Sequence, residues 1–597
     1  MTAYIRSCFR TSNHRSRTTK TVLFAIPLAI CLSGLLVVST YSSAAKKPPD
    51  NTGAGIFATD NGDVQCAQFE GHTDCLGIPY AAPPVGDLRF RAPAAAETWD
   101  GVRDATRLAS ACLQAKTEYA ESQQGSEDCL YLNVYIPTNT ITQAPLPVIV
   151  WLHGGGFVNG SGNAFNGAYL AQTANAIIVT VNYRLGPFGW LALPSLAAEA
   201  QDGSTGNYGL LDSIAALKWV QRNIGGMGGD PQRVTISGQS AGGEQVFALV
   251  ASPYAAGLFQ RAISMSSPAS LSMPTVEKAA AKRAGLLAEL GCTDTATQPA
   301  CLRSVPAQRL LDASHISWDL IQLLGLQWTP TVDGAVLPDQ WLNLFRQGKF
   351  NKVPIMVGHT KEEARLFVAI SENVQGGPMT TTRVEERSRS FFGIASRAVF
   401  LKYPERDFAT PGDGMAQVIV DSLFATGLNN NRDVLSQYVP VYGYQFCDPN
   451  AAESHVHALY SKVGCAHDSD LPYLFQWDDF TGKKPAHTPE QQALAFQMGR
   501  YWGNFAASGD PNGPNLPNWP KFVAGGDQVQ LLEPASVGNI RSSTPGAYSR
   551  EHKLGFWNLL AMLKSPKKWV PWAAVTIAIV IFAGWFWKRR WSAVASR

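Results

Sequence analysis

The sequence predicts an α/β fold, with a central, mainly parallel β-sheet covered by helices on both faces. Two observations carry that prediction. Short β-branched runs recur along the chain, and segments of helical period separate several of them. A third observation agrees with these: hydrophobic residues make up 45% and charged residues 16% of 597 positions, a globular composition without a break in the body.

The strand candidates, in order, are Leu146–Leu152, Ala176–Asn182, Arg233–Ser237, Val353–Gly358 and Val439–Phe446. The clearest helix runs Leu210–Ile224, where Leu210, Ile214, Leu217, Val220 and Ile224 fall on one face. Strands alternating with helices need crossover connections, and these make neighbouring strands parallel. In such sheets the chemistry gathers in loops leaving the carboxyl ends of strands.

The two ends read differently from the body. Arg6, Arg10, Arg15, Arg17 and Lys20 precede an apolar run, Val22–Val38, and then Ser43, Ala44 and Ala45. Residues 1–45 are therefore expected to be a signal peptide or an N-terminal membrane anchor. At the other end, 569–587 contains no charge, and a spanning helix needs roughly 17–25 residues. Trp569, Trp572, Trp585, Trp587 and Trp591 gather at its ends, where indoles favour the headgroup zone. This segment is expected to be a transmembrane helix, followed by a basic cytoplasmic tail, 588–597. The stretch 542–568 reads as a juxtamembrane linker and 46–541 as the folded body. The body is then anchored to a membrane on its extracytoplasmic side, periplasmic or extracellular. Net charge is only +3, much of the excess lying at the ends, so no nucleic-acid partner is expected.

With Cys8 and Cys31 in the leader, the body keeps Cys66, Cys75, Cys112, Cys129, Cys292, Cys301, Cys447 and Cys465. They fall in local pairs, which fits an oxidising compartment. From spacing alone, Cys66–Cys75 and Cys447–Cys465 are expected to bridge. None shows the close spacing of a zinc cage, and no metal or cofactor is expected.

Two glycine-rich elements follow predicted strands. Arg233–Ser237 leads into Gly238-Gln239-Ser240-Ala241-Gly242 and then a helical pattern. A nucleophile exposed on a sharp turn needs this setting: glycines on either side admit close backbone, and the next N–H, that of Ala241, faces a developing oxyanion. His153-Gly154-Gly155-Gly156-Phe157 follows Leu146–Leu152, where consecutive glycines can turn N–H groups inward as further donors. A phosphate loop would close with Gly-Lys-Ser/Thr, and Phe157-Val158-Asn159 does not.

These segments resemble the type-B carboxylesterase and cholinesterase family of α/β-hydrolases. Glu127-Asp-Cys-Leu-Tyr-Leu-Asn-Val-Tyr-Ile-Pro137 is similar to its second signature. Leu76–Ala81, Val181–Gly186, Gly206–Asp212 and Gly509–Pro514 resemble further blocks, so the likeness runs over about 53–535. The resemblance implies an α/β-hydrolase fold and hydrolysis of a small-molecule carboxylic ester through an acyl-enzyme. Its nucleophile would be Ser240, its acid Glu363 in Gly358-His-Thr-Lys-Glu-Glu363, and its base His467 in Gly464-Cys-Ala-His467. Glu362 is the rival acid; His455, His457 and His487 are rival bases. Family bridges would be Cys112–Cys129 and Cys292–Cys301, and family oxyanion donors the N–H groups of Gly155, Gly156 and Ala241.

Departures from the family pattern bear on substrate. Gln239 stands where cholinesterases carry Glu, which removes a fixed charge for a quaternary ammonium. Tyr119 stands at the position of their choline-site Trp and keeps an aromatic face. Tyr119, Gln239 and Phe157 are the candidate substrate-binding residues. Asp468 replaces the glycine usual after the catalytic histidine, Ala364 the one usual after the acid, and Met227 a Phe. A general carboxylesterase is the expectation. A lipase, a cholinesterase-like enzyme and a non-catalytic adhesion protein resembling the neuroligins are the alternatives; the last group lacks the serine.

Overall fold

The structure is a computed structural model that describes residues 55–115, 125–138, 144–317, 327–452, 458–475 and 486–563. The leader 1–45, Tyr119, His455, His457 and the apolar run 569–587 lie outside the described residues.

Fourteen strands are described: β1 Ile56–Thr59, β2 Gly62–Gln65, β3 Ala67–Phe69, β4 His72–Pro79, β5 Val102–Asp104, β6 Tyr131–Pro137, β7 Leu146–Leu152, β8 Ile177–Val181, β9 Gly229–Gln239, β10 Arg261–Met265, β11 Ile355–Thr360, β12 Val441–Phe446, β13 Gln530–Leu532 and β14 Arg541–Ser542. A small sheet orders β1-β2-β5, and the main sheet orders β14-β13-β12-β11-β10-β9-β7-β8-β6-β4-β3. From β13 through β8 the main sheet is parallel, as expected. Its flanks β14, β6, β4 and β3 pair antiparallel, so the sheet is mixed.

Helices labelled here are α1 Tyr208–Asn223, α2 Ala241–Ala251, α3 Ala364–Gln375, α4 Thr381–Phe392, α5 Ser396–Lys402, α6 Pro411–Ile419, α7 Thr426–Leu435, α8 Pro489–Ser508, α9 Ala547–Glu551 and α10 Leu554–Leu563. A π-helical turn, Val420–Ala425, joins α6 to α7. Alternation along β7 divides the core. Val148, Val150 and Leu152 pack with Ile214 and Leu217 of α1, while Ile149 and Trp151 pack with Leu494, Met498 and Trp502 of α8. Both faces are buried, which is why the central strands read as continuous apolar runs.

Two of the sequence blocks meet directly. Arg184 holds Asp212 through two hydrogen bonds, Nε to Oδ2 at 2.8 Å and Nη2 to Oδ1 at 2.7 Å, in a buried pair. All four disulfides, Cys66–Cys75, Cys112–Cys129, Cys292–Cys301 and Cys447–Cys465, are present.

The linker expected over 542–568 is corrected by the structure as far as Leu563. α9 and α10 dock on the body through buried Tyr548, His552, Leu554, Trp557 and Leu560. Among the described residues no helix is long and apolar enough to cross a membrane.

Candidate active site

The site begins at the end of β9. Ser240 caps α2 with φ 58° and ψ −123°, a conformation that non-glycine residues rarely adopt and that is held by the surroundings. Its N–H donates to Met265 O on neighbouring β10 at 2.9 Å. The flanking glycines are there for contact distance: a Cβ on Gly238 would lie 2.5 Å from Gly242, and one on Gly242 2.0 Å from Leu152 O. Ala241 opens α2, so its N–H has no acceptor within the helix.

The loop after β7 folds against this turn. A Cβ on Gly154 would sit 3.1 Å from Ser240 Cβ and 2.8 Å from Gln239 Oε1. Gly155 and Gly156 take φ 102° and 60°, and a Cβ on Gly155 would collide with Asn159 O at 2.2 Å. The Gly155 carbonyl accepts from Val158 and Asn159, while the N–H groups of Gly155 and Gly156 have no acceptor among the described residues. His153 stacks on Tyr183 at 4.2 Å, and burial pushes its imidazole down to about 4, so it is neutral at physiological pH. Gln114 holds the far end of the loop, with Nε2 donating to Gly160 O and Gly160 N–H donating to Gln114 Oε1.

Glu363 stands at the start of α3, just beyond β11, and is fully buried. Its Oε1 accepts from the Thr360 N–H at 2.8 Å and its Oε2 meets His467 Nδ1. A backbone bond from His467 N–H to Glu363 O, 3.1 Å, ties the two loops together. Glu362 points elsewhere, accepting from Cys465 N–H and pairing with Arg365. His487 stacks on Tyr473 at 4.8 Å. Asp468 takes φ 71°, so the aspartate adopts the left-handed turn that suits the glycine it replaces.

Burial by itself would lower the His467 pKa. The Glu363 carboxylate, followed by Asp468 and Asp470, outweighs it and the net direction is upward from 6.5. Asp470 is in turn pushed up to about 7, by burial first and then by the charges of Glu363 and Asp468.

The sequence did not reveal what faces the other imidazole nitrogen. His467 Nε2 lies 3.0 Å from Gln239 Nε2, and no hydrogen bond joins it to the Ser240 hydroxyl. With Nδ1–H directed at Glu363, Nε2 is an acceptor and the Gln239 amide donates to it. Phe367 and Phe424 pack on the same ring at 4.9 and 5.7 Å. Phe367 follows Glu363 by one helical turn, a spacing that could have found it; Phe424 sits on the π turn and carries no such signal. Phe157, another candidate substrate contact, has a fully buried ring that lies edge-on to Trp190 at 4.7 Å.

A cavity of about 220 Å³ lies elsewhere, lined by Val384, Val399, Phe408 and Val418 of the α4–α6 region. Among the described residues no group of His, Cys, Asp or Glu is arranged to hold a metal.

Known proteins share this arrangement of sequence and fold. The human cocaine esterase is 33% identical over 511 residues, 81% of this chain and 86% of that one. The para-nitrobenzyl esterase of Bacillus subtilis (strain 168) is 35% identical over 478 residues, 78% and 92% of the two chains. A solved PNB esterase structure superposes with a TM-score of 0.69 at 30% identity, covering 84% of this chain and 99% of that one. The carboxylesterase family model matches residues 56–553, and the chain belongs to the carboxylesterase family, serine enzymes that hydrolyse esters.

Proposed function

We propose that the chain hydrolyses carboxylic esters through a Ser240–His467–Glu363 triad and an acyl-enzyme intermediate. The observation that carries this reading is the Glu363–His467 pair, whose imidazole meets Gln239 immediately before a serine on a strained strand-to-helix turn. His467 Nε2 takes the Ser240 proton as Oγ bonds to the ester carbonyl carbon. The carbonyl π pair moves to oxygen, and the N–H groups of Gly155, Gly156 and Ala241 stabilise the alkoxide; one such donor is worth on the order of 10²–10³ in rate. The imidazolium, stabilised by Glu363, protonates the leaving alcohol as its C–O bond breaks. Water then repeats the sequence and releases the acid.

Gln239 enters before the first step. Its amide must leave Nε2 for the serine hydroxyl to bind there, which makes it the resting partner of the base. Being uncharged, it also offers nothing to a choline cation. The substrates expected are uncharged carboxylic esters, para-nitrobenzyl esters among them by likeness to the bacterial relative. The sequence of the ends supports an extracytoplasmic body tethered by 569–587, and four disulfides agree with an oxidising compartment.

The test uses short-chain aryl esters and a fluorophosphonate label, with Ser240→Ala as the control. Hydrolysis and labelling are both lost in that variant. Undiminished hydrolysis there would refute the assignment.

A further inference from the structure

α10, Leu554-Gly-Phe-Trp-Asn-Leu-Leu-Ala-Met-Leu563, contains no charged residue. Its one polar side chain, Asn558, accepts from Asn430 of α7, and an exposed helix face that is apolar throughout belongs inside a core or against lipid. The body covers only one side of it, through Leu554, Trp557 and Leu560. Gly555, Leu559, Ala561, Met562 and Leu563 are exposed, Leu559 at 54%.

The buried side of α10 packs against the neighbouring tip of α4 and α5. Trp557 packs on Phe392 at the end of α4 at 5.3 Å and shares a cluster with Val399 and Tyr403 at α5. Between and beyond those contacts, Ile394 is 99% exposed and Leu401 85%. α5 carries exposed Arg397 and Lys402 and no acidic residue. Glu385 and Glu386 lie on α4 and Glu405 and Asp407 just after α5, yet Arg383, Arg387, Arg389, Arg397, Lys402 and Arg406 leave this region net basic around its exposed apolar side chains.

What covers it follows from where the described chain stops. The described part of α10 reaches Leu563, and the uncharged run begins at Trp569 after Lys564-Ser-Pro-Lys-Lys568. The six Cα–Cα steps from Leu563 to Trp569 reach at most about 20–22 Å when fully extended. A headgroup layer is roughly 5–8 Å deep on each side of the hydrocarbon. A chain inserted at Trp569 therefore keeps α10 close to the bilayer surface. Lys564, Lys567 and Lys568, with Arg397 and Lys402, supply charges that suit anionic headgroups.

We propose that α10 and the α4–α5 tip form a membrane-contact face, lying in the interface of an anionic phospholipid bilayer beside the C-terminal span. This rests on the reading of 569–587 as a membrane span. The enzyme body would then be docked against the bilayer and not merely suspended from it.

The test keeps the full chain, reconstituted in vesicles of phosphatidylcholine and phosphatidylglycerol. Benzoylphenylalanine replaces Leu559, Ile394, Phe496 or Ile579, one at a time, and retained aryl-ester hydrolysis reports that each chain is folded. Phe496 is an equally exposed apolar residue, at 55%, on α8 at the opposite face of the sheet. After irradiation, lipid adducts at 559 and 394 exceed those at 496 by about tenfold, as interfacial burial requires. Adducts at 579 but none above the 496 level at 559 and 394 overturn the contact face and leave the tether standing. Cross-links from 559 to a second copy of the chain, in place of lipid, also overturn it. Absence of lipid adducts at 579 refutes the span, and the proposal falls with it.

Discussion

Glu363–His467–Gln239 and Asp421–His552–Gln445 are two buried arrays built from the same parts. In each, Nδ1 of the imidazole faces a carboxylate, and Nε2 faces a glutamine amide, at 3.0 Å in the first and 2.7 Å in the second. One π-helical turn serves both, with Phe424 packed on His467 and Asp421 holding His552. The surroundings differ. Beside the first stand a serine at φ 58° and a loop in which the Gly155 and Gly156 N–H groups have no acceptor among the described residues. Around the second, Asp421 also accepts from Tyr403 Oη and Gln417 Nε2 and lies 3.8 Å from Lys553 Nζ, while Trp557 Nε1 donates to Tyr403 Oη. Its polar groups are spent on docking α9 and α10. A carboxylate–imidazole pair is thus an ordinary structural device; a strained serine and N–H groups left without acceptors among the described residues are what set the first array apart.

The sharpest way to break this comparison is at the serine. Ser240→Ala is expected to lower kcat by on the order of 10⁶-fold, read with an aryl ester, while thermal unfolding stays at or above the parent temperature. Glu363→Gln follows, with kcat down about 10⁴-fold because the imidazole loses its tautomer and the partner of its cation. Asp421→Ala should do the reverse. Removing a buried charge that serves His552, Tyr403, Gln417 and Lys553 is expected to cost about 3–5 kcal/mol in denaturant unfolding, with kcat near the parent value. A loss of rate there as large as in Glu363→Gln would erase the distinction between the arrays.

Smaller effects sharpen it. In the proposed triad His467 acts as a base only when neutral, and its pKa is raised above 6.5, so kcat/KM should fall as pH drops through a midpoint above that value. Gln239→Glu adds an anion beside the ring, stabilises the imidazolium and moves the midpoint higher; a downward move would contradict the Gln239–His467 contact. The least change is expected from Glu244→Gln on α2. Both oxygens of that buried carboxyl lack partners, and burial raises its pKa well above 4.5. The folded state holds a proton that the unfolded chain releases, so this group costs stability as pH rises past 4.5. Replacing it should raise the unfolding temperature at neutral pH by about 2–4 °C and leave it unchanged at pH 4.

Much of the site was legible because its parts are local. The strand, turn and helix around Ser240 lie within one short stretch, and the glycines needed for close approach can be read one by one. Adjacent Glu362 and Glu363 could not be separated that way, since which carboxylate reaches His467 depends on how β11 hands over to α3. Asp468 hid its left-handed turn because aspartate tolerates what glycine usually supplies. The stretch 542–563 looked like a linker for a related reason. Its anchors, Tyr548, His552 and Trp557, mean little until β11, β12 and the π turn provide partners: Tyr548 Oη meets His359, and His552 meets Gln445 and Asp421.

By itself, the sequence determined the parallel centre of the sheet and the strand–turn–helix around Ser240 with its glycine loops, because each is written in neighbouring residues and their periodicity. Only the tertiary structure decided that Gln239 sits against His467, that Glu363 and not Glu362 bonds to it, and that the chain's last described helices belong to the body. Those contacts join residues more than a hundred positions apart. Hydrogen bonds of that kind depend on how whole elements pack, and no local pattern encodes them.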